Sequence, residues 1–401
     1  MLKGKAVLLA LSSMKDREQS IYFDHNATTP VDPRVLDAML PYFSENYANS
    51  GSAHYLGSRV KDSVEASREQ IASFIGADAQ EIIFTSGATE SINIALKGVA
   101  ENYVKKGKHI ITVSTEHKAV LETCKHLERI GYAVSYLPVK RDGLINLDIL
   151  RNELRQDTSL VCIMHVNNET GVIQPIKEIA EIVHENGSLF MCDATQSVGK
   201  IPFHVDELGI DLTCFSGHKM YAPKGIGVLY IRQRMNHVKL SAQIHGGGQE
   251  LNIRSGTLNV PGIIALAKAS EIAYVEMKND AKRITELRNE LERELLRIEG
   301  TFVNGNIQNR IFNTTNICFR GNDANVLIGR MKNVAVSNGS ACTASIVEPS
   351  HVLTAMGLNY DDAMASLRFS LGKFNAKTEI NEHKNIMTRL FQNYNYTNLI
   401  T

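Results

Sequence analysis

Short apolar runs alternate with segments of helical spacing between residues 60 and 235 of this 401-residue chain. Seven of the apolar runs are predicted to be strands, and they occupy residues 81–85, 109–113, 134–138, 160–165, 189–192, 212–215 and 227–231. Strands that alternate with helices are typical of a mostly parallel sheet with helices on both faces. Only a short turn at Pro223 separates the last two strands, so this pair is predicted to be antiparallel. The pattern therefore predicts an α/β fold.

Helical spacing extends over residues 119–130 and 176–185, and each segment is followed by a glycine, as helix ends often are. The connection 197–211 is short and polar, and we expect it to bury nothing. A longer helical stretch, 263–298, has one charged face and predicts an interdomain helix; its irregular heptads disfavour a coiled coil. Residues 301–392 mix short strands with helices and predict a second, smaller domain, followed by an irregular polar tail over 391–399.

The charges balance, with 43 Lys and Arg against 43 Asp and Glu. The chain therefore has no overall field that would hold nucleic acid or an anionic membrane, and no apolar run reaches membrane-spanning length. The six cysteines occur singly, without CxxC pairs or zinc-type spacing. We therefore expect no disulfide framework, no metal site and a cytoplasmic location.

The first thirteen residues resemble a secretory signal only faintly, because the apolar stretch is short and no clear cleavage site follows it. We expect these residues to be a loose extension, with Met14 as a candidate native start. They do not enter the fold prediction.

Polar side chains follow two neighbouring predicted strands. Asp193 and Gln196 follow one strand, and Ser216, His218 and Lys219 follow the next. Residues just beyond the carboxyl ends of such strands line the ligand crevice of an α/β sheet. A lysine is costly to bury there unless it meets an electrophile or an anion. The combination predicts pyridoxal phosphate, with Lys219 forming the Schiff base and Asp193 facing the pyridinium nitrogen.

Three other strand ends carry residues that suit the same cofactor. Ala88 and Thr89 lie in a small-residue turn that opens a helix, where backbone N–H groups can bind a phosphate; simple helix capping is the alternative. His117 could stack on the ring and carry protons, although a lone histidine at a strand end is more often structural. Asn168 could donate to the ring's phenolic oxygen or to the substrate. No Walker loop occurs in the chain.

Two arginines are candidates for binding a substrate carboxylate, because a guanidinium can hold it with two hydrogen bonds. Arg254 lies in a segment with serine and glycine, and Arg368 lies among apolar residues. An ordinary surface charge is the alternative for both, and it fits Arg368 less well.

Cys342 differs from the other cysteines because it lies in a run of small polar residues, 337–345. A thiol in a solvated loop can reach a substrate and react, whereas cysteines in apolar segments are usually inert packing. Taken alone, Cys342 is equally compatible with an ordinary loop cysteine. The cysteines predicted to be packing are Cys124, Cys162, Cys192, Cys214 and Cys318.

Together, these motifs resemble the cysteine desulfurases, a group of class-V, fold-type I pyridoxal phosphate-dependent enzymes. The resemblance runs from residue 22 to about residue 374 and is carried by residues 22–30, 87–91, 116–117, 165–169, 193–196, 216–219, 254–257, 339–342 and 368–370. It implies a large cofactor-binding domain over 31–262 with a seven-stranded, mostly parallel sheet. It also implies a smaller α+β domain over 263–401 that carries Cys342 and is joined by the N-terminal segment 1–30.

The resemblance also implies roles for individual residues. Those that would contact the cofactor are Lys219, Asp193, Gln196, Asn168, His117, Ala88, Thr89, Ser216 and His218, with Thr257 reaching the phosphate from the other subunit of a homodimer. Arg368, with Asn168, would hold the carboxylate of L-cysteine.

The catalytic residues implied by the resemblance are Lys219, His117 and Cys342. Lys219 would remove the Cα proton, and the Cys342 thiolate would take the substrate sulfur as a persulfide while His117 carries the proton. Alanine would leave, and the sulfur would pass to an acceptor protein. No direct contact with nucleic acid is expected.

Several alternatives remain open at this stage. The segment around Cys342 is similar to the long-loop type of the family. We expect the chain to lack the C-terminal tail with which some members dock an iron–sulfur scaffold. Iron–sulfur cluster assembly, tRNA thiolation and DNA phosphorothioate modification are therefore all open as routes. A selenocysteine lyase, a class-V aminotransferase and a non-catalytic interaction platform are the rival functions. A required thiol disfavours the aminotransferase, and the presence of both Lys219 and Cys342 disfavours the platform.

Overall fold

The computed structural model describes residues 20–234, 237–339 and 348–397. The strands are β1 (Ile21–Tyr22), β2 (Ile82–Thr85), β3 (His109–Val113), β4 (Ala133–Leu137), β5 (Thr158–Met164), β6 (Leu189–Asp193), β7 (Leu212–Ser216), β8 (Gly227–Ile231), β9 (Thr301–Val303), β10 (Thr314–Phe319), β11 (Val334–Ala335) and β12 (Ser366–Ser370). The helices are α1 (Pro33–Met39), α2 (Pro41–Ser44), α3 (Tyr55–Ile75), α4 (Ala88–Asn102), α5 (Lys118–Arg129), α6 (Leu147–Glu153), α7 (Ile176–Glu185), α8 (Val260–Leu295), α9 (Ala324–Arg330), α10 (His351–Ala355), α11 (Tyr360–Met364) and α12 (Lys377–Thr397).

The central sheet has seven strands in the order β2-β8-β7-β6-β5-β3-β4. The pairs β3–β4, β3–β5, β5–β6 and β6–β7 are parallel. The strand β8 is antiparallel to both of its neighbours, β7 and β2. The predicted seven-stranded, mostly parallel sheet with an antiparallel last pair is confirmed.

Successive residues of the central strands face two separate apolar cores. In β6, Phe190 and Cys192 pack with α3, α7 and the first half of α8, whereas Met191 packs with α4 and α5. Both faces of the sheet are therefore covered, as buried parallel strands require. This arrangement confirms the prediction of helices on both faces, and it directs the polar residues at the strand ends toward one edge of the sheet.

A second sheet, β12-β10-β9, is antiparallel and packs on a third core with the second half of α8 and with α12. The short strand β1 pairs in parallel with β11, and Phe23 enters the same core. These contacts support our proposed division of the chain into a segment 1–30 joined to a small domain, a large domain 31–262 and a small domain 263–401.

Two local predictions are wrong. The connection 197–211 buries Ser197, Lys200 and Val205, because its apolar residues pack into the core on one face of the sheet. The tail predicted to be irregular from residue 391 is helical up to Thr397 as part of α12.

Candidate functional site

A cavity of about 630 Å³ lies at the carboxyl ends of β6 and β7. Ten of the twelve predicted site residues line it, and these are Lys219, His117, Asp193, Gln196, Asn168, Ala88, Thr89, Ser216, His218 and Arg368. The remaining two are Thr257, which lies elsewhere, and Cys342, which lies outside the described residues. The structure thus brings together side chains from distant parts of the sequence at the predicted edge of the sheet.

Lys219 ends the 3-10 turn Gly217–Lys219 that follows β7. The turn packs closely because Gly217 has no side chain, and a Cβ added there would lie 2.9 Å from a neighbouring side-chain atom. The Lys219 Nζ donates to the carbonyl oxygens of Asn26 and Ala27 at 2.6 and 2.7 Å. Burial is the main cause that lowers the pKa of Lys219 to about 8. The amine is therefore closer to its reactive neutral form than an exposed lysine is.

Asp193, the last residue of β6, is 5% exposed. The backbone N–H and the hydroxyl of Thr195 donate to Oδ1 at 2.9 and 2.5 Å, and the Cys214 thiol lies 3.7 Å from the same oxygen. No group in the described part of the chain hydrogen-bonds to Oδ2. A carboxylate with one oxygen held and one free, lining a cavity with a lysine, fits the protonated ring nitrogen of pyridoxal phosphate.

The first turn of α4 fits the phosphate of the same cofactor. Its N-cap residue, Gly87, has no side chain to cap the helix, so the first backbone N–H groups are available to an anion. Gly87 has a φ of 155°, and a Cβ added at Gly227 would lie 2.5 Å from its Cα. The hydroxyls of Thr89 and Ser216 line the same cavity. The close approach of these glycine backbones therefore forms a cradle of donors.

His218 also lines the cavity, and its Nδ1 lies 3.1 Å from the Thr28 hydroxyl. Burial, followed by the charges of Lys219 and two other lysines, lowers the pKa of His218 to about 4. The imidazole is therefore neutral near neutral pH and can donate to a phosphate oxygen from one ring nitrogen.

His117 is the N-cap residue of α5, and its Nδ1 accepts a hydrogen bond from the backbone N–H of Ala119 at 3.1 Å. This bond leaves Nε2 for exchange of a proton within the cavity. Desolvation lowers the pKa of His117 most; Asp193 raises it, and Lys219 lowers it further. A neutral imidazole with one free nitrogen is suited to general acid–base catalysis.

Arg368 lies on β12, with 6% of its side chain exposed. One terminal nitrogen pairs with Asp24 at 2.5 Å, and the other donates to the Asn168 carbonyl oxygen at 3.0 Å. Its Nε is buried and has no acceptor in the described regions. Because Arg368 also lines the cavity, its guanidinium can offer an N–H group to a substrate carboxylate. Arg254, the other candidate arginine, instead pairs with Glu90 at 2.7 Å.

Asn26 links several of these groups, and the sequence patterns predict no role for it. Its carbonyl oxygen accepts from Lys219 and from Gln196, and its side-chain amide donates to the Asn168 carbonyl oxygen at 3.1 Å. The motif 22–30 is a usable signal. A backbone carbonyl, however, is present in every residue, so residue type cannot reveal this role.

The described residues on both sides of the segment 340–347 are anchored at the cavity. On one side, Ser337 exchanges backbone hydrogen bonds with Arg368 at 2.6 and 3.2 Å. On the other side, Ser350 donates to Glu169, which follows Asn168, and His351 hydrogen-bonds to the backbone oxygen of Glu116, which precedes His117. These anchors place both flanks of the segment that contains Cys342 beside the cavity.

The other five cysteines are free and buried. Burial is the largest cause that raises the pKa of all five thiols. The pKa rises to about 12 for Cys124 and to about 11 for Cys318, and it is also raised for Cys162, Cys192 and Cys214. Buried thiols with raised pKa values are poor nucleophiles. The prediction that these five are packing residues agrees with this environment.

Thr257 is exposed and lies beside a different cavity, of about 900 Å³, which Ser52 and Leu251 also line. Glu250, Leu251 and Asn252 form a turn in which all three residues have positive φ, and the side chain of Leu251 is 62% exposed. Tyr55, close in sequence to Ser52, is 72% exposed. Exposed apolar side chains around a strained turn are typical of a surface that another chain covers.

Metal-binding clusters and membrane-spanning helices are both absent from the described residues. Over these ranges, no group of three or more His, Cys, Asp or Glu side chains has the arrangement to hold a metal ion. In the same part of the chain, no helix combines the length and the apolarity needed to cross a bilayer.

Comparisons with known proteins agree on one family. The family model "Aminotransferase class-V" matches residues 21–382. The cysteine desulfurase IscS of Anaeromyxobacter dehalogenans (strain 2CP-C) is 50% identical over 362 residues, which cover 90% of this chain and 89% of that protein. A solved NifS-like protein has a TM-score of 0.87 at 40% identity, covering 92% of this chain and 99% of that one. The DndA structure from Streptomyces lividans has a TM-score of 0.75 at 43% identity, covering 86% and 97%.

Proposed function

Because the chain belongs to the cysteine desulfurases of the class-V aminotransferase family, we propose that its cavity converts L-cysteine to L-alanine and passes the sulfur through Cys342 to an acceptor protein. The family is dependent on pyridoxal phosphate, and so is this enzyme. The observation that carries the proposal is the anchoring of both flanks of the Cys342 segment beside a cavity that contains Lys219 and Asp193.

Different residues of the cavity would contact different parts of the cofactor. Lys219 would hold it covalently, and the free Oδ2 of Asp193 would hold the proton on its ring nitrogen. The first turn of α4, with Thr89, Ser216 and His218, would hold the phosphate. When bound, pyridoxal phosphate supplies an electron sink for the electrons that proton removal leaves on the substrate Cα.

Arg368 and Asn168 are the residues that would bind the substrate carboxylate. Arg368 binds the carboxylate of L-cysteine, which orients the Cα–H bond toward Lys219. As a free amine, Lys219 would take the Cα proton of the substrate. Its lowered pKa keeps a useful fraction of this amine neutral.

Cys342 and His117 complete the sulfur transfer. The thiolate of Cys342 forms an S–S bond with the substrate sulfur as the Cβ–S bond breaks, and the three-carbon product leaves as alanine after protonation. His117 carries the proton through its free Nε2. The acceptor protein then attacks the outer sulfur of the persulfide, which restores the Cys342 thiol.

The direct test supplies the purified enzyme and pyridoxal phosphate with L-cysteine that carries labelled sulfur. We expect alanine and label in equal amounts, with the label on the peptide that contains Cys342 when no reductant is present. Keto-acid formation without sulfur release would indicate an aminotransferase instead. A preference of more than about a hundredfold for selenocysteine, which is about 2.7 kcal/mol, would indicate a selenocysteine lyase.

We also propose that the enzyme is a homodimer in which Thr257 contacts the phosphate in the partner's cavity. The exposed Thr257, the strained turn next to it and the exposed Leu251 and Tyr55 support this arrangement. Iron–sulfur cluster assembly, tRNA thiolation and DNA phosphorothioate modification are the routes that the acceptor could serve. The five free, buried cysteines support a cytoplasmic location, and the balanced charge supports recognition of a protein acceptor without direct nucleic-acid binding.

Mixed dimers test the role of Thr257. A dimer of one Lys219→Ala chain and one Thr257→Ala chain has a single cavity with an intact lysine, and that cavity receives a wild-type Thr257 from its partner. We expect this dimer to bind the cofactor at that site with wild-type affinity. A dimer of a wild-type chain and a Lys219→Ala/Thr257→Ala chain is the matched control, and we expect about tenfold weaker binding at its intact lysine, the loss of one charge-assisted hydrogen bond. Equal affinities in the two dimers, or a monomer in solution, would refute the proposal.

A further inference from the structure

Lys200 is a buried lysine without a carboxylate partner. It lies in the connection after β6, four residues beyond Gln196, and is 8% exposed. Its Nζ donates to the Gln196 side-chain oxygen at 2.6 Å. No Asp or Glu within the described ranges forms an ion pair with it. Burial of an ammonium group without a carboxylate partner is unfavourable, which makes the position of this amine a feature to explain.

The charged groups that shift the pKa of Lys200 are cations of the cavity. Burial is the largest cause that lowers the pKa of Lys200 to about 7, followed by the charges of Lys219 and Arg368. Burial and the charge of Lys200 both lower the pKa of His25 and of His218 to about 4, so both imidazoles are neutral near neutral pH.

Lys200 also lines a second, small space of about 30 Å³. The ionisable groups that line it with Lys200 and His25 are Asp32, Tyr221, Asp280 and Lys373. Asp32 is already paired with Arg34 and Lys373. Lys200 therefore directs its one described hydrogen bond toward the active cavity.

That hydrogen bond and a second one, to Asn26, together orient the Gln196 amide. The amide oxygen faces Lys200, whose ammonium form can only donate, so the NH₂ group faces the opposite way. One N–H donates to the Asn26 carbonyl oxygen at 2.9 Å, and the same oxygen accepts from Lys219. The second N–H of Gln196 remains for an acceptor in the cavity.

We propose that Lys200 is a positioning residue that holds the Gln196 amide with its NH₂ group toward the cavity, where it donates to the ring oxygen of pyridoxal phosphate. The proposal rests on the proposed function through the role of Gln196. Without Lys200, only the hydrogen bond to the Asn26 carbonyl oxygen holds the amide, so its NH₂ group is fixed less firmly toward the cavity. The amine of Lys200, one side chain removed from the ring, also favours the deprotonated ring oxygen when it is charged.

The variant Lys200→Met removes the donor and keeps the length of the buried side chain. We expect the apo-enzyme to bind pyridoxal phosphate about tenfold more weakly, the loss expected for one hydrogen bond to a charged group. We also expect the midpoint of the pH-dependent change in the cofactor's visible absorption to rise by about one pH unit. The reason is that the deprotonated ring oxygen loses the nearby positive charge and the oriented amide donor that stabilise it. Lys200→Gln keeps a donor without the charge and should retain most of the wild-type affinity.

A double-mutant cycle separates positioning from general packing. In a Gln196→Leu background there is no amide to orient, so Lys200→Met should change the affinity for pyridoxal phosphate by less than about twofold. Equal effects of Lys200→Met with and without Gln196 would overturn the proposal. Unchanged affinity and midpoint in a folded Lys200→Met protein would also overturn it, as would a folded Lys200→Gln protein that loses as much affinity as Lys200→Met. A wild-type protein that binds the cofactor but makes no alanine would contradict the proposed function and leave this cycle intact.

Discussion

Cys342→Ser is expected to bind pyridoxal phosphate as the wild type does and to lose sulfur release. A serine hydroxyl stays protonated near neutral pH and is a far weaker nucleophile toward sulfur than a thiolate. We expect alanine formation from L-cysteine to fall by about a thousandfold or more, as it does when a nucleophile is removed from other enzymes. Alanine yield, the visible absorption of the bound cofactor and labelled sulfur on the protein are the three measurements.

The control for this variant is Cys318→Ser. Cys318 is buried, and its Sγ lies 3.8 Å from a carboxylate oxygen of Asp362, which gives a serine hydroxyl at this position an acceptor. We expect Cys318→Ser to keep most of the alanine-forming activity. Wild-type turnover by Cys342→Ser, or label that remains on the protein after Cys342 is replaced, would rule out the assigned role of this thiol.

The sequence predicts the sheet and most of the cavity for a common physical reason. Buried parallel strands must be apolar along their whole length, so their ends are visible as the points where polar residues begin. Asp193 and Ser216, the last residues of β6 and β7, fall at these points in the structure. Because parallel strands end at one edge of the sheet, residues that are chemically suited to one cofactor can be assigned to one site from the sequence alone.

Contacts between distant segments are harder to predict from the same patterns. The connection that contains Lys200 has a polar sequence that predicts exposure, because the burial of Lys200 depends on how that connection packs against the core. Asn26 acts largely through a backbone oxygen. The end of α12 is not predicted because its polar residues carry no apolar period, and helical structure there continues to Thr397. In each case the missing information is tertiary packing.

Thr257 shows a related difficulty. The resemblance places it at the phosphate, whereas the single chain places it beside a separate cavity. Both statements are compatible only if a second chain brings its own Thr257 to the cavity that holds Lys219 and would bind the phosphate. One chain by itself cannot contain that information, which is why the mixed-dimer experiment is needed.

Lys219→Ala is expected to abolish turnover by about ten thousandfold or more, because one side chain supplies both the covalent attachment of the cofactor and the base that removes the Cα proton. Its pKa of about 8 makes about a tenth of the amine neutral at pH 7, a far larger share than an ordinary exposed lysine offers. The replacement leaves Asp193 and the phosphate cradle in place, so we expect the cofactor to bind reversibly and to be removed by dialysis.

Chemical rescue separates loss of the base from loss of the fold. A small primary amine such as methylamine can diffuse into the cavity left by the lysine side chain and take up the proton, so we expect it to restore part of the activity of Lys219→Ala. The restored rate should rise with pH through the pKa of the added amine, because only the neutral amine accepts a proton. Lys105→Ala, which removes an exposed lysine, is the matched control and should behave as the wild type. A Lys219→Ala enzyme that still turns over L-cysteine at the wild-type rate would show that the proton is removed by another group.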